Sequence, residues 1–142
     1  MNFLIDTNII AYAYDLSEPL KREKCLSLIE EIFSGEKEAF ITNQILGELF
    51  VTLTKNFKRP MEKEDAQIII SSIIKSNNWI KINYNHNTIE RAIILSREYS
   101  LPFWDSLISA TMIENNITVI YTENEKDFNK IQGIKVINPL QA

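Results

Sequence analysis

Five short apolar runs alternate along this chain with stretches of helical period, and that alternation leaves few architectures open. The runs are Phe3 to Ile5, Ala39 to Thr42, Trp79 to Ile82, Thr118 to Tyr121 and Lys135 to Ile137. The first is apolar at every position, as expected of a strand covered on both faces of a parallel sheet. Between the runs, Cys25, Leu28, Ile29, Ile32 and Phe33 recur at helical spacing from Leu20 to Phe33, with Gly35 placed to end the helix. Thr42 or Asn43 can cap a second helix from about Gln44 to Asn56, with Ile45, Leu46, Leu49, Val51 and Leu53 as its apolar side. Pro60 separates this from a helix over Glu62 to Ser76, in which Ala66, Ile69, Ile70, Ile73 and Ile74 are expected to face inward. A further helix is expected near Asn87 to Glu98, carrying Ile89, Ile93 and Ile94. Another, largely buried, follows Pro102 and carries Leu107, Ile108, Ala110, Thr111 and Ile113. Right-handed crossovers would order such a series into a mostly parallel sheet of four or five strands covered by helices.

A chain of 142 residues with 45% hydrophobic composition can enclose one substantial core, so a single domain over residues 1–142 is expected. The turns at Asn115-Asn116 and Gln132-Gly133 join elements and do not mark domain boundaries.

Charge and cysteine usage narrow the chemistry. A net charge of -4 argues against a broad basic grip on duplex DNA, although bound metal ions can relieve the repulsion between acids and phosphate. Cys25 is the only cysteine, so an internal disulfide or a thiolate metal cluster has no basis, and its apolar neighbours place it in a helix wall. His86 is the only histidine. Any metal must therefore rely on oxygen ligands. The first residues carry neither a basic segment nor a long apolar run, and no stretch approaches the roughly 20 apolar residues of a membrane span. A cytoplasmic protein without membrane contact is expected.

Acidic residues stand at the element edges. Asp6 follows the first strand and is expected at the carboxyl end of the sheet, where open α/β folds place their ligands, though a turn or a helix cap also explains it. Glu48 sits among Ile45, Leu46, Leu49 and Val51, so it is either a solvated helix-face glutamate or a buried acid needing a cation or proton. Asp105 can cap a helix beginning at Ser106, and hydrophobic Phe103, Trp104, Leu107 and Ile108 would fix it at a pocket edge. Trp104 itself is read as core packing in preference to a nucleobase platform. In the run from Tyr121 to Phe128, Asn124 can orient a carboxylate and Asp127 can point back from a short helix. Glu123 and Glu125 read as a solvated turn. Gathered at one sheet edge, these acids would form an oxygen-rich pocket suited to a hard divalent cation and to phosphodiester hydrolysis.

In these motifs the chain resembles the PIN-domain nucleases, and particularly the VapC-like toxins of toxin-antitoxin pairs. Leu4-Ile5-Asp6-Thr7-Asn8 resembles the opening motif, Glu48 the helical acid, Phe103 to Ile108 the central aspartate motif, and Tyr121 to Phe128 the closing motif. The resemblance implies a three-layer α/β/α fold, usual dimerisation, RNA cleavage and inhibition by a small antitoxin. It implies a metal set of Asp6, Glu48, Asp105 and an acid of the closing motif, here Asp127, with Asn124 beside it and Thr7, Asn8 and Thr122 in support. Many relatives carry aspartate at the position of Asn124, which leaves one or two Mg2+ or Mn2+ ions open. On this expectation Asp6 and Asp105 anchor an ion, Glu48 orients the attacking water, and Asp127 helps retain the metal. Two basic runs, Lys21-Arg22 with Lys24 and Lys55 with Lys58-Arg59, are candidate contacts to RNA backbone or else solvated helix faces. Open alternatives are a catalytically inactive PIN-like module that binds RNA or protein, a solitary RNA-processing nuclease, and a metal-dependent phosphatase. The last is disfavoured because Asp6-Thr7-Asn8 lacks a second aspartate.

Overall fold

The computed structural model describes residues 2–141. Its five strands, β1 (Phe3–Ile5), β2 (Ala39–Thr42), β3 (Trp79–Ile82), β4 (Val119–Tyr121) and β5 (Lys135–Ile137), form one sheet in the order β3-β2-β1-β4-β5. Every neighbouring pair is parallel, so the expected mostly parallel sheet is wholly parallel. All three residues of β1 are buried, which requires cover on both faces and gives an α/β/α sandwich. The strand order runs outward in one direction from β1 through β2 to β3, and in the other through β4 to β5. The topological switch therefore falls between β1 and β4, and a crevice opens beyond their carboxyl ends.

Among the described residues, seven α-helices connect and cover the strands: α1 (Thr7–Tyr12), α2 (Pro19–Phe33), α3 (Asn43–Val51), α4 (Lys63–Lys75), α5 (His86–Tyr99), α6 (Phe103–Glu114) and α7 (Glu125–Phe128). The core joins Leu4, Ile5 and Ile41 of the sheet to Ile9, Ile29, Ile32, Ile45, Leu49 and Phe128 of the helices, all fully buried. Cys25 lies in the α2 wall, as its neighbours suggest.

Several local expectations are corrected. Helix α1 was not anticipated: its six residues are too few to establish a period, and it starts directly after β1, capped by the Asp6 side chain, which accepts from the Thr7 backbone N–H. The helix expected to reach Asn56 changes winding at Thr52, and Thr52–Asn56 form a π-helical turn. Helix α6 starts at Phe103 with Pro102 as its N-cap, so Asp105 lies inside the first turn and does not cap a helix at Ser106. The inward face of α5 is narrow. Ala92 packs with Leu107 and Ala110 of α6 in a small cluster, and Ile93 and Ile94 are left about half exposed. Val51 and Ile74 are likewise exposed, against the inward placement read from spacing.

Candidate active site

Sheet register determines the first contact of the site. Ile5 pairs with Tyr121, and the ladder continues one step further because the Asp6 backbone N–H donates to the Tyr121 carbonyl at 2.9 Å. Asp6 therefore emerges beside Thr122, whose hydroxyl donates to Asp6 Oδ2 at 2.7 Å. With the Thr7 N–H donating to Oδ1 at 2.8 Å, both carboxylate oxygens are held at the strand end. Burial still pushes the Asp6 carboxyl above its usual range, against the lowering effect of those two donors.

Helix α3 brings up the second acid. Thr42 ends β2 and accepts from the Ile45 N–H at 3.0 Å, which starts the helix at the same sheet edge. One turn later Glu48 turns toward α1, where the Thr7 hydroxyl donates to its Oε1 at 3.0 Å. Gln44, four residues earlier on the same helical face, donates to Glu48 Oε2 at 3.3 Å. Desolvation raises the Glu48 pKa and the charge of Asp6 adds to that, while Gln44 and Thr7 oppose it.

Asp105 arrives from the other side of the switch, on the first turn of α6. Asn124 Nδ2 donates to Asp105 Oδ2 and to Asp127 Oδ2, each at 3.0 Å, so one amide bridges two carboxylates. Desolvation, the contact with Asp127 and the charges of Asp6 and Glu48 together push the Asp105 carboxyl up to about 7. Asp127 moves the opposite way, lowered chiefly by Asn124, so the proton of the pair resides on the deeper Asp105.

Asp6, Thr7, Asn8, Glu48, Asp105 and Asn124 all line one cleft of about 730 Å³. Asp127 does not line it and stands behind Asn124. Neutral donors separate the acids: among the described residues no three Asp, Glu, His or Cys side chains already stand at ligating distance of a common point. The arrangement is a loose ring of carboxylates in which mutual repulsion and burial favour protons, or a cation in their place. Its donors are all oxygens, the set that hard divalent cations prefer.

Residues 3–134 match the family model described as PIN domain. The chain belongs to the PIN-domain family. Solved structures of similar fold include chains described as toxins or as members of toxin-antitoxin complexes. A chain from a toxin-antitoxin complex of Klebsiella pneumoniae is 25% identical, with 96% of each chain covered and a TM-score of 0.67. VapC20 of Mycobacterium tuberculosis, described as a sarcin-ricin loop cleaving toxin, is 18% identical over 97% of this chain and 100% of its own, with a TM-score of 0.66. A DNA-bound VapBC structure from Salmonella typhimurium is 16% identical over 98% of both chains, with a TM-score of 0.69. At such identities the last two likenesses establish the fold alone. No curated protein sequence matches this PIN domain.

Three features of the PIN domain were not read from its sequence. Gln44 lies within hydrogen-bond reach of both Glu48 and the Trp104 carbonyl, and its four-residue spacing from Glu48 was the available signal. Glu123, taken for a solvated turn, accepts from the Tyr12 hydroxyl at 2.7 Å and pairs with Lys21 at 3.3 Å, tying the loop after β4 to α1 and α2. Lys21 is thereby occupied within the protein and not presented as an isolated phosphate contact. Trp104, assigned to core packing, is 59% exposed and lines the cleft beside Asp105. Among the described residues, no helix is long and apolar enough to cross a membrane.

Proposed function

We propose that this PIN domain is a divalent-metal-dependent endoribonuclease that hydrolyses RNA phosphodiester bonds, and that it is the VapC-like toxin of a toxin-antitoxin pair. The observation that carries the reading is the convergence of Asp6, Glu48 and Asp105 on one cleft at the topological switch, each with its pKa raised chiefly by burial, to which neighbouring acids add at Glu48 and Asp105. In this reading Asp6 and Asp105 hold Mg2+ or Mn2+, and Thr122 and Thr7 keep Asp6 and Glu48 oriented toward it. Such an ion supplies Lewis acidity at the scissile phosphate and lowers the pKa of the attacking water. Glu48 would orient the attacking water, and Asp105, steadied from behind by Asn124 and Asp127, would serve as a carboxylate ligand. Because Asn124 is neutral, the acid set facing the cleft suits one ion better than two.

The toxin assignment rests on fold relatives that occur as toxin-antitoxin complexes, two of them with DNA. A small antitoxin and a second copy of the chain are the partners this reading supplies. The exposed isoleucines of α4 and of α5 leave apolar surface that supports a protein interface. The test is cleavage of a structured RNA by the purified protein in Mg2+, Mn2+ or EDTA, beside an identically purified Asp6→Asn variant. Cleavage that requires the ion and falls at least a hundredfold in the folded variant is expected. Equal activity in Asp6→Asn, or activity that persists in EDTA, rejects the mechanism.

A further inference from the structure

We propose that Trp104 is a stacking platform for an unpaired nucleobase, so that the cleft takes RNA whose bases are free and discriminates against duplex. The inference rests on the endoribonuclease reading and assigns it a specificity-determining residue. Tryptophan ordinarily buries most of its large apolar surface, and Trp79 is fully buried, whereas Trp104 leaves 59% of its surface in solvent.

That exposure is built into the local structure. Phe103 and the indole form a T-shaped pair, with ring centroids 5.0 Å apart and planes at 77°, which restrains the indole. The Trp104 carbonyl accepts from Gln44 Nε2 at 3.2 Å, and the same nitrogen donates to Glu48 Oε2. Both partners are acceptors, so the amide of Gln44 has one workable orientation. Gln44 is itself buried, at 9% exposure, and couples the Trp104 backbone to an acid of the site. Trp104 and Asp105 are successive residues of one helical turn, and both line the cleft. A nucleotide whose phosphate lies at the carboxylates therefore has its base close to the indole.

The lining also indicates what holds a nucleic acid there. Among the described residues it contains no lysine or arginine; its polar groups are carboxylates, hydroxyls and amides, including Asn43 and Asn56. The usual cationic contribution to backbone binding is thus missing from the cleft wall. Stacking on one aromatic side chain is worth roughly 5- to 150-fold in affinity per base, and it requires an open base face that a paired nucleotide does not offer.

The experiment compares wild type, Trp104→Ala and Trp104→Phe on a short single-stranded RNA and on the same RNA annealed to its complement, in Mg2+. Trp104→Ala is expected to raise KM for the single strand about tenfold with kcat within about threefold, Trp104→Phe to recover most of that, and duplex to be cleaved poorly by all three. Buried Trp79 supplies a constant background, so the RNA-dependent change in wild-type tryptophan emission reports Trp104 and is expected as quenching by the single strand and not by the duplex. An unchanged KM in Trp104→Ala, or equal cleavage of both RNAs, overturns the proposal. A changed sedimentation coefficient with unchanged KM also overturns it, by making the indole a protein contact. If Trp104→Ala does not fold, the quenching decides. If wild type cleaves no RNA, the endoribonuclease reading falls, and the platform stands or falls on the quenching alone.

Discussion

Replacing Asp105 by asparagine is expected to stabilise the metal-free protein near neutral pH while disabling its site. The folded-state pKa of Asp105 is about 7 against an ordinary 3.8, a rise of about 3 units. Between those values the native state keeps a proton that the unfolded chain has released, so stability falls as pH rises from about 4 to 7. At about 1.4 kcal/mol per unit the ceiling is about 4 kcal/mol. Asp105 is only half buried, so solvent screening reduces this to about 1–2 kcal/mol. Asparagine cannot ionise, yet it can still accept from Asn124 and donate to Asp127. In EDTA at pH 7.5, Asp105→Asn should therefore exceed wild type by about 1–2 kcal/mol, or roughly 2–8 °C in Tm for a chain of this size. At pH 4.5, where Asp105 is protonated in wild type, the difference should vanish. Thermal and urea unfolding at the two pH values measure it. A variant less stable than wild type at pH 7.5, or a difference independent of pH, would refute the assignment of that strain to Asp105.

Two further substitutions probe the neighbouring groups. Asn124→Asp replaces the bridging amide with a third carboxylate facing Asp105 and Asp127. It should cost about 1–3 kcal/mol of stability in EDTA and raise Mn2+ affinity, as read by unfolding with and without the ion. Thr122→Val removes the 2.7 Å hydrogen bond to Asp6 and should cost about 1–2 kcal/mol at pH 7.5, and less as pH falls and Asp6, its pKa raised by burial, takes up its proton, as followed by urea unfolding.

The parts of the fold that were legible are those whose signal is local. Strands β1, β2, β3 and β5 match their runs residue for residue; β1, buried throughout, leaves an unbroken hydrophobic record, while the edge strands β3 and β5 keep enough apolar residues around Lys81 and Lys135 to be read. The short α1 left no such record, and the exposure of Ile93 and Ile94 depends on how α5 packs on α6, where Ala92 meets Leu107 and Ala110. At the site, Asp6, Glu48 and Asp105 could be picked out as acids beside apolar segments. Their common cleft follows from the strand order, which places β1 next to β4. Asp127 carries the same sequence signal but stands outside the cleft lining, since α7 turns it behind Asn124. Trp104 was misassigned because hydrophobic neighbours in sequence do not reveal which side of a helix's first turn meets solvent.

The central claim is that remote acids converge to hold a divalent cation, and isothermal titration of metal-free protein with Mn2+ at pH 7.5 tests it most directly. Saturable binding that weakens at least tenfold in both Asp6→Asn and Asp105→Asn is the predicted result. Absence of saturable binding by the folded wild type, or unchanged affinity in both variants, would contradict it.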